Sequence, residues 1–343
     1  MLGGAGLLQL GLPGAGQAKV DFIMNTTVIL CTYNRGQSLA KALESLARSE
    51  MPSSVQWDVL VVDNNSKDDT REVVEGFCER FPGLFRYVFE PRQGKSYALN
   101  TGIREARGDV LAFTDDDVFV EPTWLQNLTA GLLEGKWAGA GGRVASDRSF
   151  SPPRWFPEER YVSGPLVMFD LGENPGELTE PPFGANMAFR KEVFANYGGF
   201  RVDLGPRPGS EIRSEDTELG NRLLSAGERL RYEPSAVVYH AVPASRLERK
   251  FFLAWWFAKG RADMQASTPS EFKWRVANVP VVLLRRFLLW TMRWLGTIHP
   301  GRRFTAKLSV WVVAGRIIGC FAKGIPEAAS EGVRIGAQDE VVR

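Results

Sequence analysis

The chain has 343 residues, 44% of them hydrophobic, which is enough apolar material for one large domain with an appendage or for two domains. Its three cysteines form no Cys-x-x-Cys pair, which argues against a zinc site and indicates a reducing compartment. The net charge of +2 conceals an asymmetry, because residues 244–323 carry 15 Lys and Arg against 3 Asp and Glu, leaving −10 for the remainder. The two parts should therefore meet different partners.

Residues 1–24 are rich in Gly, Ala and Leu and lack early positive charge, so they are predicted to be a disordered extension and not a signal peptide. Met24 is a candidate for the true start, because the first predicted strand follows directly. Residues 326–343 are predicted to form a flexible tail.

Strands and helices alternate from Thr26 onward. A capping-box pattern, Ser66 with Asp69, predicts the start of the second helix. Strands alternating with helices imply right-handed crossovers, so the fold class is expected to be α/β, with a mostly parallel sheet flanked by helices. The apolar strands are predicted at residues 26–31, 57–62, 86–89 and 110–114.

Polar clusters follow three of these strands, at the edge where ligands of parallel sheets bind. Three adjacent carboxylates repel one another, and Mg²⁺ would compensate them while sharing its remaining positions with phosphates. Each cluster alone is also compatible with an ordinary turn, since Asn and Asp favour turns. Their convergence on one edge favours a binding site. The clusters are Thr32-Tyr33-Asn34, Asp63-Asn64-Asn65 and Asp115-Asp116-Asp117.

Two phosphate-binding motifs are excluded. Gly94-Lys95-Ser96 matches the end of a P-loop, but the glycine required five positions before Gly94 is Phe89. No Gly-x-Gly-x-x-Gly fingerprint occurs in the chain. Lys95 and Arg92 still place positive charge near a helix start, which suits an anionic ligand.

Four segments share a pattern with a known family: Val28–Arg35, Val61–Thr70, Gly94–Gly102 and Asp115–Asp117. Together they resemble the family 2 glycosyltransferases, whose Rossmann-like catalytic domain has the GT-A fold. The resemblance covers about residues 26–240, and the catalytic domain is expected at 25–243. One departure is Asn65, which stands where many relatives have Gly and must then adopt the backbone conformation that Gly supplies.

The resemblance implies a nucleoside-diphosphate sugar as donor and Mn²⁺ or Mg²⁺ as cofactor. It assigns the metal to Asp117, with His240 as a candidate for a further ligand, the alternative for this lone histidine being a structural role. It makes Asp216 the catalytic base, with Glu215 as the alternative, and Ser214 is the predicted N-cap of their helix. In the donor site, the resemblance implies that Thr32, Tyr33 and Asp63 contact the nucleotide base. Lys95 would lie against the nucleotide, and Asp115 would lie near the ribose. The other predicted donor contacts are Asn34, Arg35, Asn65, Asn100 and Asp116.

The expected reaction is transfer of one sugar, with inversion, to a hydroxyl of a glycan or lipid-linked acceptor. A processive synthase is disfavoured because no Gln-x-x-Arg-Trp motif follows the Glu-Asp pair. One alternative is a nucleotidyltransferase, which would usually carry a Gly-rich loop after its first strand. A non-catalytic sugar- or lipid-binding module would not need both Asp117 and Asp216. A nucleic-acid binder is suggested by the basic C-terminal part alone, and no nucleic-acid partner is expected.

Four aromatic residues between 151 and 182 are candidates for an apolar acceptor wall, the alternative being ordinary packing beneath a long loop. They are Trp155, Phe156, Tyr161 and Phe169.

Residues 244–325 are predicted to form a basic, aromatic-rich helical appendage. Its helix-like segments, 247–264, 281–295 and 308–321, are each interrupted by arginine before the roughly 18 apolar residues that a spanning helix needs. Amphipathic helices of this kind suit an anionic membrane surface, with Trp at the headgroups. Packing on the catalytic domain or on another subunit is the alternative. We expect a peripheral protein on the cytoplasmic side of the cytoplasmic membrane.

Overall fold

The structure, a computed structural model, describes residues 25–133, 135–146, 151, 153, 155–156, 164–166, 168–208, 213–242, 244–266 and 274–321. The predicted extension at 1–24 and the predicted tail at 326–343 lie outside the described residues, as does Tyr161.

The described strands and helices alternate through the first half of the chain, as predicted. The strands are β1 (Thr26–Thr32), β2 (Trp57–Asp63), β3 (Phe85–Phe89), β4 (Val110–Asp115), β5 (Val118–Val120), β6 (Gly139–Ser146), β7 (Gly176–Glu177), β8 (Met187–Arg190), β9 (Leu230–His240), β10 (Arg275–Val276) and β11 (Val279–Pro280). The helices are α1 (Gly36–Leu46), α2 (Thr70–Arg80), α3 (Lys95–Glu105), α4 (Trp124–Leu133), α5 (Lys191–Tyr197), α6 (Glu215–Ser225), α7 (Arg249–Ala266), α8 (Val281–Gly296) and α9 (Pro300–Gly319).

The main sheet has the strand order β3-β2-β1-β4-β8-β6-β9-β5, and β7 pairs with β9. The four strands β1 to β4 are mutually parallel where they pair, and β6 is parallel to β9. Strand β8 lies antiparallel between β4 and β6, and β5 runs antiparallel to β9. The predicted α/β class, with a mostly parallel sheet flanked by helices, is confirmed.

The apolar pattern explains why these segments form their elements. All seven residues of β1 are buried, as expected for a central strand covered on both faces. Helix α1 buries Leu39, Leu43 and Leu46 at helical spacing. The predicted capping box is wrong, because α2 begins only at Thr70 and the Ser66 hydroxyl instead accepts a hydrogen bond from the backbone N–H of Asn34 at 2.9 Å.

Strand β9 contains a bulge opposite β6. Gly142 pairs with Glu233, whereas the next residue, Arg143, pairs with Val237. The register therefore advances by one residue on β6 and by four on β9, so β9 accommodates three extra residues, 234–236.

Asn186 fills the bulge and is fully buried. Its Nδ2 donates to the carbonyl oxygens of Arg143 and Ala236, both at 2.8 Å, and its Oδ1 accepts from Trp124 Nε1 at 2.8 Å. A Cβ on Gly142 would lie 2.2 Å from the Ala236 carbonyl oxygen, so the close approach requires glycine. Gly142 and Asn186 thus specify the bulge.

The C-terminal region is helical, as predicted, and α7 and α9 pack with their backbones in contact. A Cβ on Gly260 would lie 2.1 Å from the Val312 carbonyl oxygen, and one on Gly315 would lie 2.0 Å from that of Phe257. No helix in the described parts of the chain is both long and apolar enough to cross a bilayer.

The predicted aromatic wall is divided between two cores. Trp155 and Phe156 pack against the cluster of Leu166, Phe252, Phe304 and Leu308 at α7 and α9. Phe169 is buried in the main core beneath the sheet. For these three described rings the ordinary packing alternative is confirmed.

Candidate active site

A cavity of about 340 Å³ opens beyond the carboxyl ends of β1 and β4, within the size range of small-molecule sites. Both acidic and basic side chains line it. The cavity is lined by Thr32, Tyr33, Arg35, Asn64, Gln93, Lys95, Asp115, Asp116, Asp117, Pro206, Arg207, Pro208, Arg213, His240 and Arg246. Eight of the predicted site residues are among them: Thr32, Tyr33, Arg35, Lys95, Asp115, Asp116, Asp117 and His240.

Asp116 is the buried member of the acidic triplet. Its carboxylate accepts from the Thr32 hydroxyl at 2.8 Å and from Arg35 Nη1 at 2.9 Å, and the same Arg35 nitrogen lies 3.0 Å from Asp117 Oδ2. Burial raises the pKa of Asp116 to about 6, and the neighbouring charge of Asp117 adds to the rise while Arg35 opposes it. With both oxygens engaged, Asp116 holds the turn after β4 in place.

Lys95 supplies a cation at the first turn of α3. Its Nζ donates to Asp115 Oδ1 at 2.6 Å and lies 3.9 Å from Glu215 Oε1. Burial disfavours the charged ammonium, but Asp115 and Glu215 more than offset it and hold the pKa of Lys95 above its ordinary value. The positive charge predicted near this helix start therefore lies beside Asp115, one of the carboxylates that line the cavity.

Asp117 and His240 come together at the end of β9, with Asp117 Oδ2 3.6 Å from His240 Nε2. Arg246 Nη1 lies 3.2 Å from the same Nε2. Because arginine can only donate, the proton of the neutral imidazole is assigned to Nδ1, which finds no hydrogen-bond partner among the described residues. In this tautomer the Nε2 lone pair accepts from Arg246, so an ion bound at Nε2 would have to displace that contact.

The two side chains fit a divalent cation. No three His, Cys, Asp or Glu side chains form a ready-made metal cluster in the described residues. Mg²⁺ and similar ions, however, are commonly held by one or two protein carboxylates together with substrate phosphates, and neutral imidazole is an acceptable ligand for Mn²⁺. Asp117 and His240 would hold the ion, and a bound diphosphate would supply further oxygens.

Glu215 and Asp216 begin α6 but do not line the cavity. Asp216 Oδ2 accepts from the backbone N–H of Gly184 at 2.9 Å, and its Oδ1 accepts from the N–H of Thr217 at 2.7 Å. Ser214 is the N-cap residue of α6, as predicted, but its side chain makes no capping bond and its φ is +90°. Asp216 therefore links the start of α6 to the segment before β8.

Glu215 provides a pH-dependent prediction. Burial, and then the charge of Asp216, raise its pKa from 4.5 to about 7, against the opposing effect of Lys95. Between these pH values the folded state binds more protons than the unfolded state, so stability falls as pH rises through the window. We expect Glu215→Gln to match the wild type near pH 5 and to exceed it by on the order of 1 kcal/mol at pH 8.

The measurement is the free energy of unfolding in urea at pH 5 and pH 8. Glu218→Gln is the matched control, because Glu218 lies on the same helix in an ion pair with Arg222 at 2.8 Å. At pH 8, Glu218→Gln should show no gain over the wild type in the free energy of unfolding. Identical pH dependence in Glu215→Gln and the wild type would contradict the prediction.

Asp63, predicted to contact the nucleotide base, is buried and does not line the cavity. Its carboxylate accepts from the backbone N–H of Ser66 at 2.9 Å and from the Tyr87 hydroxyl at 2.8 Å. Asn65 has φ +65°, the left-handed conformation expected for a residue in place of glycine. The turn after β2 is thus rigid and supports its neighbour Asn64, which does line the cavity.

Two other predicted donor contacts also lie outside the cavity lining. Asn34 Oδ1 accepts from the backbone N–H of Lys67 at 2.6 Å and joins the turns after β1 and β2. Asn100 pairs with the backbone of Phe200, donating to its carbonyl oxygen and accepting from its N–H, both at 2.8 Å. Both side chains therefore hold neighbouring backbone segments in place and do not line the cavity.

Three of the arginines that line the cavity were not predicted as site residues. Arg207, Arg213 and Arg246 line it together with Gln93. Burial, with the nearby charges of Arg213 and Arg35, holds the pKa of Arg246 below its ordinary value, although Asp117 opposes this effect. Arg246 belongs to the basic segment that the charge asymmetry revealed, but its charge is directed at the cavity.

The sequence profile described as glycosyl transferase family 2 matches residues 27–198, half of the chain. The chain belongs to glycosyl transferase family 2. The predicted family and the predicted enzyme class, glycosyltransferase, are thereby confirmed.

The chain is similar to proteins of glycolipid and polysaccharide synthesis. Glucosyl-dolichyl phosphate glucuronosyltransferase of Haloferax volcanii is 30% identical over 66% of this chain and 72% of its own. Succinoglycan biosynthesis protein ExoM of Rhizobium meliloti is 30% identical over 66% and 68%.

The solved mannosyltransferase PcManGT of Pyrobaculum calidifontis, in complex with GDP-Man and Mn²⁺, superposes with a TM-score of 0.60 at 20% identity over 87% of both chains. This likeness confirms the GT-A fold.

Proposed function

We propose that this family 2 glycosyltransferase moves one sugar from a nucleoside-diphosphate sugar to a hydroxyl of a lipid-linked or glycan acceptor, with inversion. The observation that carries the proposal is a single cavity lined both by the Asp115–Asp117 triplet and by Arg207, Arg213 and Arg246. A doubly charged diphosphate with a divalent ion suits this lining, because carboxylates can hold the ion and arginines can bind phosphate oxygens. The solved mannosyltransferase complex with GDP-Man and Mn²⁺ supports such a donor.

A divalent ion bound at Asp117 and His240 would supply positive charge to the diphosphate oxygens. The chain contributes further donors to the same group. The guanidinium groups of Arg207, Arg213 and Arg246 are suited to hydrogen-bond phosphate oxygens and to stabilise the charge that develops on the leaving diphosphate. Tyr33 is 37% exposed at the turn after β1, where the nucleotide base would pack.

Asp216 is the proposed base. It accepts the proton of the acceptor hydroxyl as that oxygen bonds to the anomeric carbon, and the bond from this carbon to the diphosphate breaks with inversion. Glu215 is less suited, because burial raises its pKa to about 7 and leaves much of it protonated near neutral pH. The carboxylate of Asp216 is less buried and is oriented by the N–H groups of Gly184 and Thr217.

The test is a thermal-shift screen of UDP, GDP and dTDP with and without Mn²⁺, followed by assays of nucleoside-diphosphate release from the matching nucleotide sugars. A metal-dependent shift with one diphosphate and release of that diphosphate support the proposal. Release of inorganic pyrophosphate from a nucleoside triphosphate and a sugar phosphate would instead identify a nucleotidyltransferase.

We further propose that α8 contacts an anionic membrane surface. Of its 16 residues, all described, only Leu283 is buried. The exposed remainder includes Leu288 and Leu295, at 60% and 67% exposure, and the arginines at 285, 286 and 293. An apolar surface of this kind rimmed by positive charge is typical of interfacial helices. The glucuronosyltransferase relative acts on a dolichyl phosphate derivative, which supports a lipid-linked acceptor.

The cytoplasmic face is proposed because the three cysteines are free, as in a reducing compartment. Deleting α8 and α9 would not test the membrane contact cleanly, since α9 packs on α7 through Gly260 and Gly315. Substitutions on the exposed face of α8 avoid this problem.

The double variant Leu288→Glu/Leu295→Glu is expected to lose at least about tenfold in affinity for phosphatidylglycerol-containing vesicles, because it replaces apolar contact with repulsive charge. Co-sedimentation at low salt measures this. Phe89→Glu is the matched control, since Phe89 is 48% exposed at the far edge strand β3 and should bind normally. Failure of the wild type to bind such vesicles would overturn the membrane proposal.

A further inference from the structure

Ser214, which immediately precedes Glu215 and Asp216, has an unusual backbone conformation. Its φ of +90° and ψ of 18° lie in the left-handed region, which residues with a Cβ adopt rarely. It is only 4% exposed, and its hydroxyl makes no capping bond to α6. Contacts from outside the helix must therefore stabilise this conformation.

Those contacts come from α7. Lys259 Nζ donates to the Ser214 hydroxyl at 2.9 Å and to Asp263 Oδ1, one helical turn further on, at 2.7 Å. Asp263 Oδ2 in turn accepts from Arg316 Nη2 of α9 at 3.2 Å. Lys259 is mostly buried, so its charge is satisfied within this chain of contacts. These contacts connect the C-terminal helices to Ser214, two residues before the candidate base Asp216.

Helix α7, which carries Lys259, packs closely against α9. Gly260, the next residue of α7, approaches the Val312 carbonyl oxygen so closely that a Cβ would lie 2.1 Å away. Gly315 makes the corresponding approach to Phe257 from α9. Because neither helix can slide past the other without a backbone clash, the backbone of α7 that carries Lys259 is held against α9.

We propose that Lys259 is a positioning residue for the Glu215–Asp216 pair, and that α7 and α9 thereby set the geometry of the catalytic motif. The inference rests on the proposed role of Asp216 as the base. Without the Lys259 contact, Ser214 is free to return to a common backbone conformation. The rotation would change the direction of both carboxylates. Arg213, which directly precedes Ser214, is one of three arginines that line the nucleotide cavity, so diphosphate binding should change much less than the catalytic geometry.

The experiment compares Lys259→Met, Ser214→Ala, the double variant and the conservative Lys259→Arg in full-length protein. The probes are the nucleotide sugar that the wild type hydrolyses, for kcat of diphosphate release, and the matching free diphosphate with Mn²⁺, for Kd. Lys250→Met is the control, because Lys250 lies on the same helix with a side chain that is 84% exposed.

Lys259→Met and Ser214→Ala are each expected to lower kcat roughly tenfold while the Kd for the diphosphate rises by no more than about threefold, because Arg207 and Arg246 still line the cavity. The double variant should be no slower than the slower single variant, because both remove one shared contact. Lys259→Arg should recover part of kcat, and Lys250→Met should behave as the wild type.

Unchanged kcat in Lys259→Met, a parallel loss in Kd, or additive losses in the double variant would overturn the inference. These outcomes are separable from failure of the proposed function. A wild type that releases no diphosphate from any nucleotide sugar, or full turnover by Asp216→Asn, would overturn the proposed function itself. Activity lost in Asp216→Asn but kept in Lys259→Met would overturn only the positioning role.

Discussion

Asp117→Ala is expected to abolish the metal-dependent part of nucleotide binding, with a loss of about 100-fold or more in affinity for UDP or GDP in the presence of Mn²⁺. A methyl group cannot replace an anionic ligand, and His240, 3.6 Å away, would remain as the only proposed protein ligand. Isothermal titration with and without Mn²⁺ measures the effect.

The same substitution has an opposite consequence without the metal. Asp117 lies 3.0 Å from Arg35, so its removal makes the cavity more positive, and metal-free binding of the diphosphate should not weaken. Glu173→Ala, at a side chain 84% exposed and outside the cavity lining, is the control for loss of a carboxylate. Mn²⁺-dependent affinity that survives Asp117→Ala in a folded protein would exclude Asp117 as a ligand.

Asp216→Asn is expected to lower kcat on the order of 100-fold or more while leaving Kd for the nucleoside diphosphate unchanged. The amide has the same shape but cannot take the acceptor's proton. Its NH₂ group would also face the N–H of Gly184 or Thr217, so a local stability loss of about 1 kcal/mol is expected.

Steady-state release of the diphosphate, with circular dichroism to verify folding, tests this expectation. Glu218→Gln serves again as the control on α6, since Glu218 pairs with Arg222 and not with the loop before β8. Normal turnover by Asp216→Asn together with its loss in Glu215→Gln would transfer the role of base to Glu215.

Structural features that depend on the local sequence pattern were predictable. The ends of the first four strands were placed within one residue, because each is a short apolar run bounded by polar turns. The left-handed Asn65 was also predictable, since its position in the turn demands it. The convergence of Thr32 with the Asp115–Asp117 triplet followed from the parallel order of β1 and β4.

The features that the sequence did not predict depend on contacts between residues far apart in the chain. Both predicted capping serines are engaged elsewhere, Ser66 by Asn34 and Ser214 by Lys259, and no local pattern distinguishes such partners. The antiparallel insertion of β8 beside β4 depends on pairing between distant segments. Arg246 was attributed to the appendage because the sequence could not indicate that it turns back to His240.

The bulge in β9 sets the length of that strand. Three residues of extended chain span roughly 10 Å, so without the bulge His240 would project that far beyond the last residue of β6. With the bulge, His240 lies level with Ser146 on one side and Val118 on the other, next to the turn that carries Asp117. Asn186, which bonds to Ala236 four residues before His240, thus acts as a spacer. It sets how far the imidazole reaches, and so whether the two proposed ligands, Asp117 and His240, can meet on one ion.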